Sequence, residues 1–121
     1  MQRTLIVLVV GLLAVGCLTP EQKQKALRVS VAGEYERKWK DRTDKLVLLD
    51  NGVREWYING RKENEAKWSI ANGELHVKYD SELINVHRIN EDKSITNIAV
   101  IRDGKRIDTR KVKQETFKKI K

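Results

Sequence analysis

The chain carries only two imidazoles, His76 and His87, and the turn between them decides whether they can act together. A hairpin centred on Ser81-Glu82 sets them directly opposite each other on an outer sheet face, about 5 Å apart and within reach of one divalent metal. No third ligand accompanies them, so surface decoration is the better reading and no metal is expected. Carboxylates fall in close pairs, Asp41 with Asp44, Glu63 with Glu65 and Asp80 with Glu82. Each pair sits at a turn or strand end, where solvated charge is the rule. Ser30, Ser69, Ser81 and Ser94 have no nucleophile context, and neither a glycine-rich phosphate loop nor a paired-cysteine knuckle is present. No catalytic residue and no cofactor is therefore expected, and the chain reads as a non-enzyme. Of the three tryptophans, Trp68 belongs to the expected core, whereas Trp39 and Trp56 are open to either packing or stacking on a ligand.

The one remaining reactive side chain is the single cysteine, Cys17. A lone cysteine excludes an intramolecular disulfide, so stability must come from packing and strand pairing. Its surroundings are those of a secretory signal. Arg3 supplies a short positive start, Leu5 to Leu13 an apolar run, and Ala14-Val15-Gly16 small residues before Cys17. The apolar stretch from residue 5 to 18 is about 21 Å long as a helix, short of the roughly 30 Å hydrocarbon core. Ala14-Val15-Gly16-Cys17 resembles the lipobox of bacterial lipoproteins, although leucine is more usual where Ala14 stands. That resemblance implies removal of residues 1–16, acylation of Cys17 and anchoring of the mature chain to a membrane of the bacterial cell envelope. The alternative is a plain secretory signal with an incidental cysteine.

The formal net charge is +8, and residues 102–121 hold nine basic residues against three acidic ones. The basicity is thus a property of the C-terminus. Export makes nucleic acid an unsuitable partner. An anionic envelope surface is the alternative to a solvated last strand, at about 1 kcal/mol per basic residue near such a surface.

After the cysteine, Thr19-Pro20-Glu21-Gln22 has the shape of a helix start, and residues 17–32 read as a lipidated cysteine and tether with one or two helical turns. From Gly33 the period changes. Asn51-Gly52, Asn59-Gly60 and Asn72-Gly73 punctuate short apolar or alternating runs, and Asn-Gly is the strongest short hairpin signal because a type I′ turn needs two residues at positive φ. Taken as two-residue loops, the three turns set Leu46 opposite Tyr57, Val53 opposite Ala66, Trp68 opposite Val77 and Ile70 opposite Leu75. Leu46, Leu48, Val53, Tyr57, Ala66, Trp68, Ile70, Leu75, Val77 and Tyr79 then share one face, which must be the core. Val47, Leu49, Trp56 and Ile58 form an apolar strip on the other face. Either a terminal segment covers that strip or it docks a partner.

Further strands are expected over residues 83–89, 94–101, 105–109 and 115–120. The chain is therefore expected to be all-β. Residues 33–121 would form a single antiparallel meander of about eight strands, closing into a small barrel or a strongly curved sheet, preceded by the signal and anchor segment. The succession Gly33-Glu34-Tyr35-Glu36, Leu46-Val47-Leu48-Leu49-Asp50-Asn51-Gly52, Trp56-Tyr57-Ile58-Asn59-Gly60 and Ala66-Lys67-Trp68 resembles small lipocalin-like bacterial lipoprotein domains. The resemblance implies fold far more than function. Two functions are expected from these residues: a membrane-anchored, non-enzymatic binding module, or a carrier of a small apolar ligand in the barrel interior. Interior volume separates them, and a cavity of roughly 300 Å³ or more favours the carrier.

Overall fold

The computed structural model describes residues 18–121. The signal segment expected over residues 1–16 and the acylation site at Cys17 lie outside the described residues. Within them, helix α1 (Pro20–Val31) leads into β1 (Gly33–Trp39), β2 (Arg42–Leu48), β3 (Val53–Ile58), β4 (Arg61–Ala71) and β5 (Glu74–Lys78). β6 (Leu83–Ile89), β7 (Ile95–Arg102), β8 (Lys105–Asp108) and β9 (Thr116–Lys119) follow. Each strand from β1 to β7 pairs antiparallel with the next, and β9 inserts between β7 and β1. The result is a closed antiparallel barrel of eight strands, and closure removes the unpaired edges that an open sheet would present. β8 is the extra strand, an arm paired to the far half of β7, where β9 does not reach.

Closure depends on a close approach at Gly33. Its φ is +143°, and a Cβ there would fall 2.2 Å from the carbonyl oxygen of Lys121. That same oxygen accepts a 3.0 Å hydrogen bond from Glu34 N. Only glycine leaves room for the C-terminus to lie against the first strand.

Residues 20–31, expected as a tether, belong to the barrel. The Thr19 side chain accepts from Gln22 N, and the Gln22 side chain accepts from Thr19 N, a complete capping box with Pro20 in the first turn. So short a helix is marginal in water, and docking supplies what its own hydrogen bonds do not. Val31 is fully buried and Leu27 packs on the core. Gln24 Nε2 donates to Ile70 O at 2.7 Å, and Arg28 Nη2 donates to Asp50 O at 3.4 Å. Asp50 belongs to the β2–β3 turn and Ile70 to the end of β4, so α1 lies across one end of the barrel and closes it. Leu48, Ile70, Leu75 and Ile95 fill the interior beneath it.

Two of the four turns differ from the expected two-residue form, and each shifts a register by one. At Asn59-Gly60 and Asn72-Gly73 both residues have positive φ. Those hairpins set Tyr57 opposite Lys62, Trp68 opposite Val77 and Ile70 opposite Leu75, as expected. Between β2 and β3, however, Leu49 N donates to Val53 O and Gly52 N to Leu49 O, so the loop is Asp50-Asn51-Gly52. This is a three-residue hairpin with glycine at the positive-φ position. Leu48 therefore faces Arg54 and Leu46 faces Trp56, rather than Glu55 and Tyr57. A bulge in β4 around Glu63 shifts the β3–β4 register by one as well, so that Arg54, and not Val53 as expected, faces Ala66. A one-residue slip turns every side chain of a strand over. In β3 it sends Arg54, Trp56 and Ile58 inward and Val53, Glu55 and Tyr57 outward.

The apolar strip expected from Val47, Leu49, Trp56 and Ile58 is thereby divided. Val47 and Leu49 lie on the outside of the wall, whereas Trp56 and Ile58 lie on the inside. The same displacement occurs between β5 and β6. Asp80 Oδ1 accepts from both Glu82 N and Leu83 N, making a three-residue loop of Asp80-Ser81-Glu82. His87 consequently faces Leu75 and His76 faces Val86. The two histidines are on opposite faces of the wall and do not face one another.

Candidate binding site

The end of the barrel away from α1 is not filled. A cavity of about 370 Å³ opens there between the β1–β2, β3–β4 and β5–β6 turns. Its floor is apolar, with Leu46, Val77 and Phe117, and its walls carry the charges that strands β1, β2 and β3 turn inward. Asp44, 3% exposed, is the centre of one group. Arg42 holds it with a fork, Nε to Oδ1 at 2.6 Å and Nη2 to Oδ2 at 3.1 Å, and Arg37 Nη2 adds a third bond at 3.1 Å. Arg37 also pairs with Glu115 and lies over the Phe117 ring at 5.3 Å. Bidentate, charge-assisted bonds of this kind fix geometry as well as adding energy.

Arg54 is different. It is 1% exposed, the largest fully buried side chain among the described residues. Nη1 donates to Asn64 Oδ1 at 2.7 Å, and the guanidinium lies 5.0 Å from the centre of the Tyr79 ring. No carboxylate reaches it among the described residues, and its Nη2 has no partner. Burial works against its charge, and the neighbouring Tyr79 works slightly the other way. Beside it His87, 5% exposed, leaves Nδ1 without a partner. Burial first, and the Arg54 charge second, push the His87 imidazole down to about 4. It is neutral at pH 7.

This neutrality has a measurable consequence. An unfolded histidine titrates near 6.5, so between about pH 6.5 and 4 the unfolded chain binds a proton that the folded chain refuses. Stability is full above the unfolded value and falls as the pH drops through that window. The loss should reach about 2 kcal/mol by pH 5. Glu74, held below its usual range by Arg106, adds its own loss only below about pH 5, where the unfolded carboxyl begins to take up protons. Urea unfolding of the wild type between pH 7 and 5 should show this slope, and His87→Gln should remove it. A variant with the wild-type slope would place the titrating group elsewhere.

Of the cavity residues, only Trp56 was expected from the sequence as a binding candidate; His87 and Asp44 read there as surface decoration and solvated charge, and both are buried. The missed signal is Leu49-Asp50-Asn51-Gly52-Val53, which suits a three-residue loop as well as a two-residue one. Under the longer loop, Arg54 alternates onto the inner face together with Trp56. Cys17 lies outside the described residues. The basic side chains Lys105, Arg110, Lys111, Lys113 and Lys118 are exposed, and Phe117 among them is buried in the core. Among the described residues there is no group of three His, Cys, Asp or Glu side chains placed to hold a metal, and no helix long and apolar enough to cross a membrane.

The fold and cavity together define a closed eight-stranded barrel with one end plugged by a helix and a charged mouth at the other. No protein-family model matches the chain, and no curated protein or solved structure matches it.

Proposed function

We propose that this protein is a non-enzymatic, membrane-tethered binding module of the bacterial envelope, anchored through acylated Cys17 and taking a small ligand into the barrel mouth. The observation that carries the binding half is the cavity of about 370 Å³ opposite α1, which is of the size that small-molecule sites occupy. The lining argues against the apolar ligand of a lipocalin-type carrier, because three arginines and two carboxylates surround the space. It also argues against catalysis. Asp44 and Glu115 are both tied to arginine, so neither is a free carboxylate beside the neutral His87 imidazole.

The anchoring half rests on the residues before Cys17 and on where α1 begins. Only Leu18 separates Cys17 from the helix cap Thr19, at most about 7 Å of extended chain. An acyl chain on Cys17 would hold the plugged end of the barrel near the lipid and leave the mouth directed away. Two or more chains, at about 0.8 kcal/mol per buried methylene, give lasting attachment. The exposed C-terminal lysines would add contact with an anionic envelope surface.

Fractionation of bacteria expressing the full chain tests the anchor. The wild type should be recovered in membranes with an acylated Cys17 as its mature N-terminus by mass spectrometry. Cys17→Ser should appear in soluble fractions or as unprocessed precursor. Membrane association of Cys17→Ser equal to that of the wild type would mean that residues 5–18 are themselves the anchor.

A further inference from the structure

We propose that the barrel mouth is specific for a small organic carboxylate, whose carboxylate group is held by Arg54 with His87 beside it and whose apolar body lies against Trp56 and Phe117. This rests on the reading of the cavity as a ligand site and names the chemistry of that ligand.

Charge is the first argument. The cavity holds three guanidinium groups, Arg37, Arg42 and Arg54, against two carboxylates, Asp44 and Glu115. Both carboxylates are committed to Arg37 and Arg42, which leaves Arg54 with one uncompensated positive charge in a nearly fully buried position. A buried charge without a counter-ion is strongly disfavoured unless something pairs with it. A cation would add to the imbalance and a neutral apolar molecule would leave it standing. One negative charge completes it.

Geometry is the second argument. The three other features around Arg54 hold its guanidinium without neutralising it. Asn64 accepts from Nη1, the Tyr79 ring lies against one face, and Asn85 Nδ2 in turn donates to the Tyr79 hydroxyl at 3.2 Å. Arg54 and His87 both line the cavity, and the buried Nη2 of Arg54 and Nδ1 of His87 have no partner. A guanidinium edge fits a planar carboxylate, and a neutral imidazole can donate a further bond in the tautomer that carries its proton on Nδ1. One free guanidinium suits a monoanion better than a phosphate dianion. The aromatic and aliphatic floor gives the remainder of the molecule a surface that a bare inorganic ion would not use.

The full chain, purified in a non-ionic detergent, should be titrated with benzoate, its neutral isostere benzamide, the cation benzamidine and inorganic phosphate. Calorimetry and tryptophan fluorescence, to which Trp56 contributes, give the affinities. Benzoate should bind at least tenfold more tightly than each of the other three, and it should raise the thermal unfolding temperature of the wild type. Arg54→Met removes the charge at similar length, so the variant should fold without ligand but lose benzoate binding at least tenfold and lose the thermal shift. Arg54→Lys, which keeps the charge without the fork, should recover part of both. Benzamide binding as tightly as benzoate would overturn the carboxylate assignment while leaving the cavity as a ligand site, and so would tighter binding of benzamidine. Phosphate equal to benzoate would overturn the organic body. Benzoate binding that survives Arg54→Met would place the ligand elsewhere. Binding of none of the four would overturn both the proposal and the reading on which it rests.

Discussion

Replacing Trp68 by alanine should cost the domain about 3–5 kcal/mol, the usual loss for a large buried aromatic. The side chain is 3% exposed, faces Val77 across the β4–β5 hairpin and donates from its indole nitrogen to Leu49 O at 2.8 Å. Arg28 of α1 lies over its ring, 5.0 Å from the centre. The indole thus ties together β4, the β2–β3 turn and the helix that plugs the barrel, and its removal leaves a cavity where all three meet. A loss of this size can exceed half the stability of a small domain. Lys67, the preceding residue and exposed on the outer face, should cost less than about 0.5 kcal/mol when replaced by alanine. Urea unfolding of the two variants measures the contrast, and equal costs would show that the faces of β4 are misassigned.

The second large effect is expected at Asp44. Replacing it by alanine removes the carboxylate that holds Arg37 and Arg42, and strands Arg37 beside Phe117 with Glu115 as its remaining partner. Breaking a buried pair by removing one member costs about 3–5 kcal/mol. The lower end, about 3 kcal/mol, applies here because the Arg42 side chain is 46% exposed and can turn to water. Converting Asp44 to Leu and Arg37 to Met together should be less damaging than Asp44→Ala alone, since the two charges then left without a partner, Arg42 and Glu115, are half-exposed and can turn to water. The comparison is made by equilibrium unfolding at constant pH. A single-variant cost below about 1 kcal/mol would mean that the cluster behaves as a solvated surface pair.

Much of the barrel was legible because its signals are local. Asn59-Gly60 and Asn72-Gly73 admit the positive φ that a two-residue turn requires, so they settled the pairing of Trp68 with Val77 without knowledge of anything distant. Thr19, Pro20 and Gln22 announced the helix start for the same reason, since a capping box is closed within four residues. The length of α1 was not legible. Its hold on the barrel comes from Val31, Leu27, Gln24 and Arg28 meeting groups far along the chain, and periodicity within so short a segment cannot register those contacts.

The functional candidate was hidden by a register choice that the residues of β3 leave balanced. Val53, Glu55 and Tyr57 on one face and Arg54, Trp56 and Ile58 on the other each hold two apolar residues and one charged residue. Hydrophobic alternation therefore cannot choose between them. The sequence alone determined that the chain is all-β, that glycine-bearing turns divide it into antiparallel hairpins, and that Trp68, Ile70, Leu75 and Val77 share the core face. Tertiary structure decided which face of β3 points inward, because the three-residue loop at Asp50-Asn51-Gly52 and the bulge in β4 are chosen together by the fit to both neighbouring strands. It also decided that Arg54 and His87 are buried side by side, because their proximity follows from closure of the wall and not from the spacing of 33 positions that separates them.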